Sequence, residues 1–279
     1  MSTSIDLSFV KQFEREVHEA YQRRGSLLRG TLRTKNNVRG ASTTFQKVGK
    51  GAATTKARHG QITPMNASHD PIECQLADFY AGDWVDKLDE LKTNHDEREV
   101  VANAGAWGLG RKTDELVLTA ADGTTSFVGD FTGAMTRSLF LESVEALNNA
   151  DVPNDGGRFG LLSPRQWSVA MTINEFASSD FVGKDLPYVK AAGSRTWLGV
   201  NWIMHTGLAG VGTNQTRCLL YHRTAIGHAV GADVMTDITW HGDRAAHFVN
   251  NMKGLGETRR NPSLDVTMFC LCAPFVESI

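Results

Sequence analysis

Residues 20–69 read AYQRRGSLLRGTLRTKNNVRGASTTFQKVGKGAATTKARHGQITPMNASH, fifty positions with ten Lys or Arg and no Asp or Glu. The ten are Arg23, Arg24, Arg29, Arg33, Lys35, Arg39, Lys47, Lys50, Lys56 and Arg58. The whole chain has 29 basic and 31 acidic residues, so elsewhere acids outnumber bases 31 to 19. Such asymmetry points to a polyanion partner or to the acidic remainder of another copy, because opposite potentials steer and register association. Short runs at 31–34 and 42–48 alternate with Gly40, Gly49, Gly51 and Gly60, the punctuation of a long β-hairpin or extended arm. Its apolar members are few: Leu27, Leu28, Leu32, Val38, Phe45, Val48, Ile62 and Met65. Ordering a residue costs about 1–2 kcal/mol and a buried side chain returns about 1.5–3 kcal/mol, so the arm is expected to order only against something else. Its charge makes that something acidic.

On the N-terminal side, Phe9, Val10, Phe13, Val17, Ala20 and Tyr21 recur at helical spacing and predict an amphipathic helix over 7–23 that needs a surface to lie on. On the C-terminal side, an acidic stretch at 78–96 leads into a helix expected over 96–121. Asp96, Glu97 and Glu99 favour the macrodipole of its first turn, while Gly105, Gly108 and Gly110 leave its stability to tertiary packing. A second helix is expected at 136–149 with Thr136 as N-cap and Leu139, Phe140, Val144 and Leu147 as its buried stripe. A buried strand at 158–162 runs into Ser163, Pro164 and Gln166, a capping box with proline at the first helical position. Further strands are expected at 199–205, 217–221, 237–240 and 264–271. In the last, Leu264, Val266, Met268, Cys270 and Cys272 share a face. Helices and strands mix without regular βαβ alternation, which predicts an α+β fold.

The 279 residues and 41% apolar content allow one large domain or two small ones. No basic start followed by an apolar run opens the chain, and its longest nearly apolar segment, 266–275, is too short to span a bilayer; a soluble cytosolic product with no membrane partner is expected. Cys74, Cys218, Cys270 and Cys272 are too few and too irregular for a disulfide scaffold and read as reduced core residues. No motif calls for a cofactor or a metal. Gly105 to Lys112 has one residue too many for a phosphate loop and sits in a helical pattern, and Gly207, Gly210 and Gly212 miss the dinucleotide spacing. His241, Asp243 and His247, like His222 and His228, lack zinc-hydrolase spacing, and no nucleophile elbow is present. Asp114 with Glu115, or Asp233 with Asp237, read as solvated or salt-bridged carboxylates, so no catalytic residue is assigned. Only Tyr21 and Phe45 interleave the basic stretch, so base stacking is unsupported and phosphate attraction alone remains open.

The order of elements resembles the major capsid proteins of tailed bacteriophages with the HK97 fold. The local patterns that carry the resemblance are Arg23-Arg24-Gly25-Ser26-Leu27-Leu28-Arg29-Gly30-Thr31, Leu109-Gly110-Arg111-x-x-Asp114 and Gly157-Arg158-Phe159-Gly160-Leu161-Leu162-Ser163-Pro164-x-Gln166-Trp167. Cys218-Leu219-Leu220-Tyr221-His222-Arg223-x-Ala225-Ile226-Gly227-His228-Ala229-Val230-Gly231 and Leu255-Gly256-Glu257-Thr258-Arg259 continue it over nearly the whole chain. The resemblance implies an N-arm at 1–27, an extended β-hairpin E-loop at 28–69 and a peripheral domain at 70–150 that holds a long spine helix. An axial domain at 151–235 and return strands of the peripheral domain at 236–279 complete it.

The resemblance further implies a non-enzymatic virion protein, assembled in the bacterial host cytoplasm from pentamers and hexamers of itself into an icosahedral shell around double-stranded DNA that it does not read by sequence. The basic E-loop face, Arg29, Arg33, Lys35, Arg39, Lys47, Lys50, Lys56 and Arg58, would meet an acidic patch of Asp70, Glu73, Asp78, Asp83, Asp86, Asp89 and Glu90 on a neighbour. The N-arm would pack through Phe9, Phe13, Val17 and Tyr21. Portal, scaffolding or decoration proteins are further partners of such subunits; the chain leaves no room for a cleaved scaffolding segment, and nothing singles out a cross-linking partner for its arm lysines. A basic-arm DNA-binding protein and a related compartment shell, an encapsulin or a gene-transfer particle, stay open as alternatives.

Overall fold

The computed structural model describes residues 23–92, 96–124, 126–129, 135–177, 194–211, 215–259 and 265–271. A single 3-10 turn at Arg29–Thr31 precedes β1 (Arg33–Lys35), β2 (Ser42–Val48), β3 (His69–Gln75) and β4 (Ala77–Asp86). Helices α1 (Lys87–Lys92) and α2 (Glu97–Asp122), the short β5 (Phe127–Val128) and α3 (Arg137–Asn149) follow. After β6 (Arg158–Leu162), α4 (Pro164–Ala170) and α5 (Asn174–Ala177) come β7 (Ser194–Trp197), β8 (Val200–Met204) and β9 (Gln215–His222). Two long strands, β10 (Ile226–His241) and β11 (Ala246–Arg259), and β12 (Asp265–Leu271) complete the described elements. The expected N-terminal helix at 7–23 lies outside the described residues but for Arg23, as do Leu264 and Cys272 of the expected last strand.

The chain divides into two compact units. The first takes 1–26, 78–112 and 232–254. In it the exposed stretch of β10 lies beside β11, and β11 beside β4. The first part of α2 packs on this sheet through its glycines. A Cβ on Gly105 would collide with the Asn251 amide and meet Ala81 O at 3.0 Å, and one on Gly110 would come within 2.6 Å of Gly25. Glycine here therefore trades helix propensity for close approach. Asn251 fixes the contact by donating to Ala81 O (3.3 Å) while accepting from Thr236 Oγ1 (2.6 Å).

The second unit takes 27–77, 113–231 and 255–279, and α3, expected in the peripheral domain, belongs to it. Its six-stranded sheet has the order β5-β12-β9-β6-β8-β7, with β6–β8 and β12–β5 parallel and the other described pairs antiparallel. Such a mixed sheet fits the α+β expectation. Every residue of β6 is buried: Phe159 to Leu162 are the apolar run of a central strand, and Arg158 at its start donates to Pro153 O (3.0 Å) and Asn148 Oδ1 (2.8 Å). On one face Phe140 and Leu147 of α3 join Leu162, Phe176, Trp202 and Leu220, with Phe140 edge-on to Trp202 at 5.0 Å and 88°. On the other, Val117, Leu118 and Ala121 of α2 meet Phe159, Leu161, Leu219 and Tyr221, together with Leu28 and Leu32 from the base of the arm.

The expected caps form. Thr136 Oγ1 accepts from Leu139 N (3.4 Å) and Ser163 Oγ from Gln166 N (3.4 Å). Leu198 (φ 54°) and Gly199 (φ 73°) close the β7–β8 hairpin in the left-handed conformation that suits a two-residue turn.

Candidate assembly surfaces

The basic stretch builds a hairpin arm. β2 and β3 pair antiparallel from Ser42 opposite Gln75 to Val48 opposite His69, so the return strand begins at the last residue of the acid-free stretch. Along β2, Thr43 and Phe45 are buried while Thr44, Gln46 and Val48 are exposed. Phe45 joins Cys74 and Ala229 in a small cluster at the arm's root. Beyond Gly49, which donates to Ser68 O (2.8 Å), residues 50–66 have no strand, and all are exposed, Ile62 at 73% and Met65 at 58% among them. Their shape rests on local bonds, Gly60 N to Ala57 O (2.9 Å) and Thr54 Oγ1 to Thr63 O (3.1 Å).

The expected basic residues are strung along this arm and its root. Arg29 lies in the 3-10 turn, Arg33 and Lys35 on β1, where Lys35 donates to Thr43 Oγ1 (2.6 Å), and Arg39 in the link to β2. Lys47 on β2 stands opposite Asp70. Lys50 reaches Asp151 at 2.6 Å, yet both side chains are about four-fifths exposed, so the pair contributes little. Lys56 and Arg58 sit near the tip.

The expected acidic patch divides. Asp70 and Glu73 lie on β3, the arm's own return strand, whereas Asp78, Asp83 and Asp86 lie on β4 and Asp89 and Glu90 on α1, all five in the first unit. Strand alternation gives Asp78 and Asp86 one face of β4 and Asp83 the other. Glu90 already binds Lys87 (2.9 Å) and Arg98 (3.0 Å), and the Lys87 hydrogen bond foremost holds its carboxyl below the usual range. Phe9, Phe13, Val17 and Tyr21 lie outside the described residues.

What sequence reading missed is the anchor under the arm. Asp114, fully buried on α2, accepts from Leu27 N and Leu28 N (3.1 Å each) and from His205 Nε2 (3.3 Å). Because Gly207 N donates to His205 Nδ1 (3.0 Å), the ring carries its proton on Nε2, facing the carboxylate. Three residues after Leu28, Thr31 Oγ1 gives its proton to Leu28 O (2.7 Å), so Tyr221, 2.7 Å away, donates to Thr31. Burial pushes the Tyr221 phenol well above its ordinary value. The signal was legible: Gly110, Thr113, Asp114, Val117 and Ala121 recur at helical spacing, and an acid inside an apolar stripe must be buried and bonded.

The residues weighed for chemistry occupy other roles. The Gly105 to Lys112 segment lies within α2, where its amides serve the helix. His222 Nε2 lies 3.0 Å from Asp155 Oδ1, and His241 Nδ1 is 4.0 Å from Asp243. Among the described residues no group of three or more His, Cys, Asp or Glu is placed to hold a metal, and no helix is long and apolar enough to cross a membrane.

Comparison with known proteins agrees with this architecture. Solved structures share the fold at low identity. One, titled Mycobacterium phage Che8, matches at 14% identity and TM-score 0.74, covering 94% of this chain and 97% of that one. The capsid of Cyanophage P-SCSP1u matches at 14% and 0.77, covering 96% and 95%. The capsid of a native GTA particle matches at 10% and 0.72, covering 95% and 96%. No curated protein matches the sequence. The family model described as phage capsid protein matches residues 5–271. The chain therefore belongs to the phage capsid protein family: it is a major capsid protein of HK97-like fold, a subunit of the icosahedral shell of a virion.

Proposed function

We propose that copies of this chain join chiefly through the hairpin arm, which lies across a neighbouring copy, and through the N-terminal segment carrying Phe9, Phe13, Val17 and Tyr21. The observation that carries this reading is the arm beyond Gly49: residues 50–66 are all exposed and have no core of their own. Unbroken exposure of a long loop marks a segment whose partner is another surface. Arg33, Lys35, Arg39, Lys47, Lys50, Lys56 and Arg58 meet acids of the neighbour, with Asp78, Asp83, Asp86 and Asp89 the exposed candidates. In the terms of the fold, 1–27 serves as N-arm, the hairpin as E-loop, the first compact unit as peripheral domain and the six-stranded sheet with its helices as axial domain.

The shell is built from pentamers and hexamers and encloses double-stranded DNA held without sequence reading. It forms in the bacterial host cytoplasm and carries no catalytic function; portal, scaffolding or decoration proteins complete the particle. Electron microscopy of the purified full-length protein, with and without its co-expressed genes, tests the assembly. Closed shells from the intact chain and none from a variant lacking 51–66 are expected. A stable small oligomer that binds free DNA with a steep salt slope would replace the reading with that of a DNA-binding protein.

A further inference from the structure

One strand edge of the first unit is bare. β10 runs from Ile226 to His241, but β1 pairs only with its residues 227–229, and Val38 N donates to Val230 O (3.0 Å) just beyond. The sheet order of the first unit is β10, β11, β4, so among the described residues no strand lies along 232–241 on the side away from β11. The stretch reads ADVMTDITWH, in which Val234, Thr236, Ile238, Thr239 and Trp240 are strong strand formers and no Lys, Arg, Pro or Gly appears. Edges left to water ordinarily carry lysine, proline or a bulge that turns other strands away. This one presents apolar side chains instead: Val234 and Met235 are exposed, as are Ile238 at 47% and Trp240 at 48%.

The occupant that fits this edge is the same strand of a second copy. By strand alternation Ile238 and Trp240 share one face, and Asp237, Thr239 and His241 share the other. Thr239 Oγ1 donates to Asp237 Oδ2 (3.0 Å), and His241 lies edge-on to Trp84 at 5.0 Å. When two copies run antiparallel about a two-fold axis at Thr239, that residue faces its own counterpart. Ile238 then faces the second copy's Trp240, and Asp237 faces the second copy's His241. Threonine with threonine, β-branched with aromatic, and a carboxylate with a ring that can donate to it are pairings that stabilise antiparallel strands. No two carboxylates oppose each other, since Asp233 falls opposite Ala245 in the turn after β10. A neighbour's arm fits less well: residues 50–58, KGAATTKAR, bring charge for Asp233 and Asp237 but only small side chains for Ile238 and Trp240.

We propose that two copies of this chain join β10 to β10, antiparallel about Thr239, into one continuous sheet. A contact between like surfaces is used up by one pair and builds no ring. It therefore links a subunit of one pentamer or hexamer to a subunit of the next, a role that rests on the shell reading above, whereas the pairing itself does not. The test is oxidative cross-linking of the full-length chain, with wild type as blank for the native cysteines. Opposite Cα atoms in antiparallel strands lie about 4.5–5.5 Å apart, within the about 4.4–6.8 Å that a disulfide spans, so Thr239→Cys should give a linked dimer. Met235→Cys lies on the same face, but its two copies would be eight residues or about 27 Å apart, so it should link at least about tenfold more slowly. Asp237→Lys added to Thr239→Cys should slow the link, and His241→Glu added to both should restore it. Deletion of 51–66 should leave the link in place. Equal linking of the two cysteine variants, or its loss on that deletion, would overturn the strand pairing. Failure of the intact chain to form shells would overturn the arm's role and leave the pairing standing.

Discussion

Replacing Asp114 tests whether the base of the arm is held as described. Asp114→Ala leaves the buried N–H groups of Leu28 and His205 and the part-buried N–H of Leu27 without this acceptor. Each orphaned buried donor costs about 1–3 kcal/mol, and with partial relaxation the loss should be about 3–6 kcal/mol. Against a typical stability of about 5–15 kcal/mol, that is a large fraction. Asp114→Asn keeps the shape and one acceptor oxygen but turns an amide group towards a donor, so it should cost about 2–3 kcal/mol. Urea denaturation of unassembled subunits reads the totals, and hydrogen exchange at Leu27 and Leu28 reads the site itself. Both variants within about 0.5 kcal/mol of wild type, with those amides protected as before, would refute the clamp.

Gly110→Ala improves helix propensity by about 1 kcal/mol, yet sets a methyl against the Gly25 backbone, which has no side chain to swing aside. A net loss of about 1–2 kcal/mol in thermal or urea unfolding is expected, and a gain would show that the 25–26 segment does not lie on α2. Cys74 is buried with its thiol pushed up to about 11, so thiolate is scarce at neutral pH. Maleimide should leave Cys74 unlabelled at about pH 8 in the native chain and label it on unfolding; fast native labelling would contradict the packing of the arm's root.

Elements whose local chemistry and burial agree were readable. β6 announces itself as an apolar run bounded by a turn and a capped helix, and α3 carries both its N-cap and its stripe. Longer strands were not. Only 237–240 of β10 was expected, because its first five residues are buried on both faces and give no alternation, while the rest are mostly exposed and polar. β4 read as an acidic stretch because Asp78, Asp83 and Asp86 punctuate it and its apolar residues do not alternate with burial: Val85 is buried, while Tyr80 and Trp84 are exposed. β3 contains Pro71, which ordinarily argues against a strand, yet β3 is one edge of a two-stranded ribbon, where a missing N–H is tolerated. As for the site, charge exposed the arm and helical spacing marked Asp114 as buried, but which groups it binds, Leu27 and Leu28 at 86–87 positions' distance, is nothing that periodicity reports.

The Asp114 clamp also sets where force stops. Chain leading from the N-terminus enters the second unit at Leu27 and Leu28, whose amides are bonded to one buried carboxylate. Tension drawn along that chain by a neighbouring subunit must first rupture two parallel hydrogen bonds to a charged acceptor before it can pull on Thr31 or β1. If subunits join through the N-terminal segment and the hairpin as proposed, the two would thus bear strain independently, and a subunit that slipped at one would not lose its hold at the other.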